Sequence, residues 1–248
     1  MIIIKSQREI DLMKDACKVT GEILRNLEDF IKPGVSTMDI NEFVENAIAK
    51  HNMKPTFKGY AGFPAGACVS VNEEIVHGIP SASRILKEGD IVSIDTGATY
   101  KGYCSDAART YAVGEISEEA RKLIDVTKQS FFEGIKYATP GNRIHDIGHA
   151  VSVYAEANGM GVIRDYTGHG VGRTLHEDPQ IPNYGTPGTG AKLKPGMTLA
   201  IEPMLTQGSY GTIVLDNDWT VITDDGLLSA HYENTVVITD GEPEILTL

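Results

Sequence analysis

No stretch of the 248 residues holds about 20 consecutive apolar side chains, so no transmembrane helix is expected. The N-terminal MIIIKSQREI has only three consecutive isoleucines before its first lysine. That is too short for the apolar centre of a secretory signal, which needs about 7–15 residues. A cytoplasmic location is the expectation. Cysteine is scarce: Cys17, Cys68 and Cys104 make an odd count with no C-x-x-C pair. Neither a disulfide framework nor a thiolate zinc site is indicated, and a reducing compartment is the expectation. Positive charge is in the minority, with 22 Lys and Arg against 34 Asp and Glu and a formal net charge of −12. Such a surface repels phosphates, which argues against nucleic-acid binding. Most of the excess acid is read as solubilising surface, and part of it is available to gather around cations. A G-x-G-x-x-G dinucleotide fingerprint after a strand is absent. No linker or low-complexity segment divides the chain, and residues 1–248 are expected to form a single domain.

What the chain does contain is a weak internal duplication. FIKPGVSTMDI around Pro33 matches YATPGNRIHDI around Pro140, an offset of 140 − 33 = 107. The same offset pairs Gly34 with Gly141, Asp39 with Asp146, Ile40 with Ile147 and Val44 with Val151. It also aligns LKEGDIVSID (86–95) with LKPGMTLAIE (193–202), so that Asp95 and Glu202 end corresponding segments. Copies this long are not solenoid repeats. They predict two similar αβ halves whose paired acids share a central site.

Apolar residues at helical spacing predict a helix over 7–31, opened by a Ser6/Glu9 capping-box pattern. Residues 37–51, 118–137 and 144–158 predict three more, the first and last of these each following a Pro-Gly turn. Strand-like runs lie at 68–72, 90–97, 110–114, 197–204, 212–215, 219–223 and 234–239. Their many turns argue for antiparallel sheet, giving an α+β class.

Five residues carry the chemistry. Asp95 ends IVSID, Asp106 lies in GYCSDAAR, His169 in the glycine-rich loop TGHGVG, Glu202 in LAIEP and Glu233 in AHYENT. An acid placed after an apolar strand is costly to bury unpaired, and a cation resolves the cost. Four carboxylates carry about −4, which two divalent ions balance. Oxygen-rich ligation suits Mn, Fe or Co better than a structural zinc site does. His145 and His149, in HDIGH, imitate a zinc helix. Asp146 replaces the central Glu there, however, and belongs to a duplicated helix start. The glycines of GHGVG are read as letting backbone pass close to a crowded site.

VNEEIVHGIP, DIVSIDTGATYKGYCSDAART, GHGVGRTLHEDP, LAIEPM and AHYENTVVIT together resemble the type I methionine aminopeptidases over nearly the whole chain. The resemblance implies the pita-bread fold, two pseudo-symmetric αβ halves around an antiparallel sheet, acting as one catalytic domain. It implies two divalent ions (Co, Mn, Fe or Zn) held by Asp95, Asp106, His169, Glu202 and Glu233, with Asp106 and Glu233 bridging. His77 then contacts the scissile-amide region, His176 stabilises the tetrahedral intermediate, and Glu202 shuttles a proton. A methionine pocket is implied at Phe57, Tyr60, Phe63, Cys68, Leu175 and Trp219. Phe57, Phe63 and Leu175 stand where bacterial members of the family have Cys, Tyr and Phe, so apolar character is kept while the pocket's shape differs. The spacing from His169 to Glu202 leaves no room for the large insertion of type II enzymes.

The implied activity is removal of the initiator methionine from new proteins when the second residue is small. The implied partners are the N-termini of nascent polypeptides at the ribosome, met by a monomer without membrane contact. The nearest rival is an Xaa-Pro dipeptidase or aminopeptidase P of the same fold. Those enzymes carry an N-terminal domain ahead of the catalytic half, whereas the first helix here begins near residue 7. A non-catalytic binding relative is the other rival, and it is disfavoured by five intact ligand positions and an acidic surface.

Overall fold

Local signals start each helix of the computed structural model, which describes residues 1–248. Helix α1 (Gln7–Phe30) begins where the Glu9 carboxylate accepts from the Ser6 backbone N–H and hydroxyl, each at 2.8 Å. The serine hydroxyl thus donates to Glu9 instead of accepting from the first turn. Tyr103 donates to the same carboxylate at 2.8 Å. These bonds, led by the Ser6 backbone, hold the Glu9 pKa down at about 2. Helix α1 buries Ile10, Met13, Cys17, Leu24 and Leu27 along one face.

The duplication is visible in the backbone. Helix α2 (Thr37–Lys50) opens with Asp39 accepting from the Ser36 N–H at 2.8 Å. Helix α4 (Ile144–Ala157) opens with Asp146 accepting from the Arg143 N–H at 2.7 Å, the same bond 107 residues on. Gly34 and Gly141 precede the two caps with φ of +94° and +101°, a region that favours glycine. Helix α3 (Glu118–Ile135) packs on α4 as α1 packs on α2. All four helices fall within a residue or two of the expected bounds.

In the first half, strands β1 (Ala67–Val71), β2 (Ile91–Thr96) and β3 (Ala107–Ala112) form an antiparallel sheet in that order. In the second half, β4 (Gly168–Gly170), β5 (Glu177–Ile181), β6 (Thr198–Ile201), β8 (Asn234–Val237) and β9 (Glu244–Ile245) form an antiparallel sheet in the order β5-β4-β6-β8-β9. Strand β7 (Ser229–His231) pairs instead with Met204–Thr206 in a smaller sheet. Each half has its own core. Leu24, Leu27, Ile40, Val44, Val69 and Ile94 fill the first. Phe131, Ile144, Ile147, Leu199, Ile201 and Val236 fill the second.

The halves meet where β3 and β8 begin. Ala108 and Glu233 exchange backbone bonds, the Glu233 N–H donating to the Ala108 carbonyl at 3.0 Å. Thr235 accepts from the Asp106 N–H at 3.1 Å and donates to its carbonyl at 2.8 Å. The architecture is the expected α+β pita-bread arrangement of two related halves.

Three sequence expectations shift. The run 197–204 is not one strand: it breaks at Glu202-Pro203, and Met204 starts a strand of another sheet. Pro203 has no N–H to give a ladder, so the break falls there. The strand expected at 110–114 is β3 and starts at Ala107. His169 lies in strand β4 and not in a loop. The glycines beside it admit close packing, since a Cβ on Gly168 would stand 2.4 Å from the Ala200 carbonyl oxygen and one on Gly170 2.2 Å from that of Asp178.

Candidate active site

The two halves contribute their acids in the same way. Asp95 lies near the end of the central strand β2, and Asp106 immediately precedes its neighbour β3. Glu202 follows the central strand β6, and Glu233 immediately precedes its neighbour β8. His169 arrives from β4 on the other side of β6, opposite Ala200. In the first half the corresponding flank, β1, places Cys68 opposite Asp95.

These side chains converge. Asp106, His169 and Glu233 present ligand atoms within 4.8 Å of one another, and Glu202, His231 and Glu233 form a second such triad. Asp95 stands outside both triads but lies against Asp106 and Glu233 in the same cavity. His169 Nε2 is 3.5 Å from Asp106 Oδ2 and 3.5 Å from Glu202 Oε1. Its Nδ1 is 2.8 Å from the Gly170 carbonyl oxygen. A carbonyl can only accept, so Nδ1 carries the proton and Nε2 presents a lone pair. A lone pair facing two carboxylates has no partner among them. Asp95 Oδ1, Asp106 Oδ1 and Glu233 Oε1 are likewise buried without a hydrogen-bond donor. A set made of acceptors alone fits cations.

The electrostatics agree. Burial, then repulsion by the neighbouring acids, pushes Asp106 and Glu233 well above the usual carboxylate range. Burial does the same to Glu202 and lifts Asp95 to about 7. Cations among the four would reverse these shifts by favouring the charged form.

Above this floor lies a cavity of about 200 Å³ lined by every residue named from the sequence as a candidate metal, catalytic or methionine-pocket residue. Phe57, Phe63, Cys68 and Leu175 form a buried apolar cluster with Ala65, and Trp219 packs against it. The Phe63 and Trp219 rings meet edge to face at 5.1 Å between centroids. Tyr60 stands at the rim, 38% exposed, with its hydroxyl 2.7 Å from His176 Nδ1. His176 in turn packs on His169, with ring centroids 4.2 Å apart. Burial lowers the His176 pKa and pulls His77 down to about 4, so both imidazoles are neutral at pH 7.

His77 has a left-handed backbone, φ +60°, a conformation that costs a non-glycine residue about 1–3 kcal/mol. Its neighbour Gly78 is pressed on β1, where a Cβ would stand 2.3 Å from the Val69 carbonyl oxygen. That approach fixes His77 over the cavity between Tyr166 and Trp219.

His145 and His149 belong to neither triad. His145 Nδ1 bonds the Thr189 hydroxyl at 2.7 Å, and Asp146 caps its helix as the repeat predicts. The sequence reading missed His231, Tyr166, Thr167, Val76 and Met204. Only His231 left a signal, standing two residues before Glu233 in AHYENT. The other four reach the cavity by tertiary placement alone.

Buried carboxylates sharing a cavity floor with an imidazole define a metallohydrolase-type centre, and the sequence model of Metallopeptidase family M24 matches residues 11–240. The methionine aminopeptidase of Clostridium acetobutylicum is 58% identical over all of this chain and 99% of its own length. The crystal structure of the methionine aminopeptidase from Thermotoga maritima superposes with a TM-score of 0.98 at 50% identity, covering 100% of this chain and 99% of that one. The prolidase of Pyrococcus furiosus shares the fold at a TM-score of 0.80 and 26% identity, over 99% of this chain and 65% of that one. The chain belongs to metallopeptidase family M24, among its methionine aminopeptidases.

Proposed function

We propose that residues 1–248 act as one catalytic domain that removes the N-terminal methionine of polypeptides whose second residue is small. The observation that carries this reading is the junction of an acceptor-only carboxylate–imidazole floor with an apolar-lined pocket. The floor suits an α-amine and a carbonyl, and the pocket suits one unbranched apolar side chain. High identity to methionine aminopeptidases, against 26% to a prolidase, favours this over the Xaa-Pro rival.

Asp95, Asp106, His169, Glu202 and Glu233 would hold two divalent ions, of Co, Mn, Fe or Zn. Such a pair supplies a nucleophile at neutral pH and a Lewis acid for the carbonyl. The chain's own groups do the rest. Phe57, Phe63, Cys68, Leu175 and Trp219 seat the methionine side chain and exclude water around it. Tyr60 donates to His176 Nδ1, which leaves Nε2–H free to donate to the oxyanion as it develops. His77, neutral and rigidly placed, donates at the scissile amide. Glu202 carries the proton from the attacking water to the departing nitrogen. The substrates are free N-termini of nascent chains in the cytoplasm, met at the ribosome by a monomer.

Cleavage of Met-Ala-Ser against Ala-Pro-Ala by metal-loaded protein tests the reading. Release of Met with little Ala supports it. Preference for the proline peptide would move the chain to the rival activity.

A further inference from the structure

His231 is buried, 1% exposed, with a ring nitrogen Nε2 that has no hydrogen-bond partner. Its backbone is clamped: Thr110 Oγ1 accepts from its N–H and donates to its carbonyl, both at 2.9 Å. Burial of the side chain leaves the ring little room to turn. Nε2 stands 3.4 Å from Glu202 Oε2, while the other oxygen, Oε1, is 3.5 Å from His169 Nε2. Glu202 is thus flanked by two imidazoles, one at each oxygen. His169 must keep its Nε2 lone pair, because its proton is committed to the Gly170 carbonyl. His231 is under no such constraint from a carbonyl at Nε2. Unlike the five candidate ligands, it does not line the cavity.

We propose that His231 is a positioning residue for Glu202: with the metal site filled, its Nε2–H closes the 3.4 Å approach to Oε2 into a hydrogen bond and leaves Oε1 to the metal site. This rests on the metal reading above. A carboxylate that must both bind a cation and carry a proton gains from a fixed rotamer, because a ligand's hydrogen-bonded neighbour sets its orientation and basicity. The competing role for the same ring is direct coordination, since Nε2 also lies within reach of Glu202 and Glu233.

The test compares wild-type protein with His231→Leu, which fills the space without a donor, and His231→Gln, whose side-chain amide restores one. Chelator-stripped protein is titrated with Mn²⁺ or Co²⁺ in a calorimeter, and the visible spectrum of the Co²⁺-loaded form is recorded. His231→Leu is expected to weaken ion binding by about 10–100-fold. His231→Gln is expected to recover most of it with the wild-type band positions. Wild-type affinity in His231→Leu would overturn the proposal. So would a Gln variant as weak as Leu with shifted Co²⁺ bands, which would make His231 a ligand. The imidazole ¹⁵N spectrum of Zn²⁺-loaded wild-type protein needs no variant. A protonated Nε2 on His231 is expected, and an unprotonated one overturns the assignment. Wild-type protein that binds no divalent ion at all overturns the metal reading and this assignment together.

Discussion

Glu202 is followed by Pro203, and the break in the ladder there turns its carboxylate off strand β6 into the cavity. Replacing it with Gln keeps the shape and removes the capacity to shuttle a proton. Turnover of the metal-loaded Glu202→Gln protein is expected to fall at least about 10²-fold, with substrate binding less affected. Near-normal turnover would end the shuttle role. His77, His176 and Tyr60 line the cavity, Tyr60 at its rim, and peptides with Ala, Ser or Gly second are expected to be cleaved and Met-Lys or Met-Glu peptides spared. A peptide panel decides this, and efficient cleavage of Met-Lys would contradict it. In the first position norleucine is expected to remain a substrate, since one small change in an apolar pocket discriminates by only about 10–200-fold. Asp95 and Glu202 were legible because each follows an apolar strand run, and Asp106, His169 and Glu233 were legible as members of the same set. His231 left only its place two residues before Glu233, and its nearness to Glu202 arises when the fold closes the 29 residues between them, 231 − 202.

Among the elements, the segment that carries Leu175 and His176 is tied down by a buried ion pair. Glu177 Oε1 accepts from the Arg173 N–H at 2.9 Å, and its Oε2 meets Lys5 Nζ, with the two side chains 5% and 3% exposed. Lys5→Met would leave a buried carboxylate unpaired, and a loss of about 3 kcal/mol in urea unfolding is expected. A change within experimental error would show the pair to be dispensable. At the start of α1, Glu9 gives a pH signature. Its folded pKa of about 2 lies below the ordinary 4.5, so the charged form stabilises the fold. That contribution is full above pH 4.5 and is lost as pH falls through about 2. Glu9→Gln is therefore expected to be less stable than wild type at pH 6, with the gap closing over that window in denaturant melts. A gap that widens in acid would reverse the sign. Helices were readable because their caps are local: Ser6 with Glu9, and Asp39 and its repeat Asp146. Of the three-residue strands, Thr212–Val214 and Val221–Thr223 were readable as runs rich in β-branched residues, and others were not. Gly168–Gly170 has no alternation to read, and its strand character comes from pairing with β5 and β6.

The molecule as a whole is a duplicated αβ unit, and its candidate site sits on the seam between the halves. Neither half alone holds more than two of the four acids, and only when β3 meets β8 do Asp106 and Glu233 face one another. Burial first, and repulsion among the acids second, makes their charged forms costly until cations join them. Ion binding and folding are therefore coupled. At an ion concentration about 100 times Kd the protein is expected to gain about 2.7 kcal/mol, seen as a rise in melting temperature. The offset of 107 exposed this plan in the sequence, whereas the stitching by Thr235, and by Arg109, which donates to the Asn234 side-chain oxygen at 2.6 Å, depends on contacts between the halves that the duplication does not encode. The most direct test is hydrolysis of Met-Ala-Ser after exhaustive chelation and again after adding back Mn, Co or Fe, with bound metal counted in the same samples. Activity is predicted to vanish on chelation and to return as the ions bind, reaching its maximum with no more than two per chain. Full activity in metal-free protein would contradict the account.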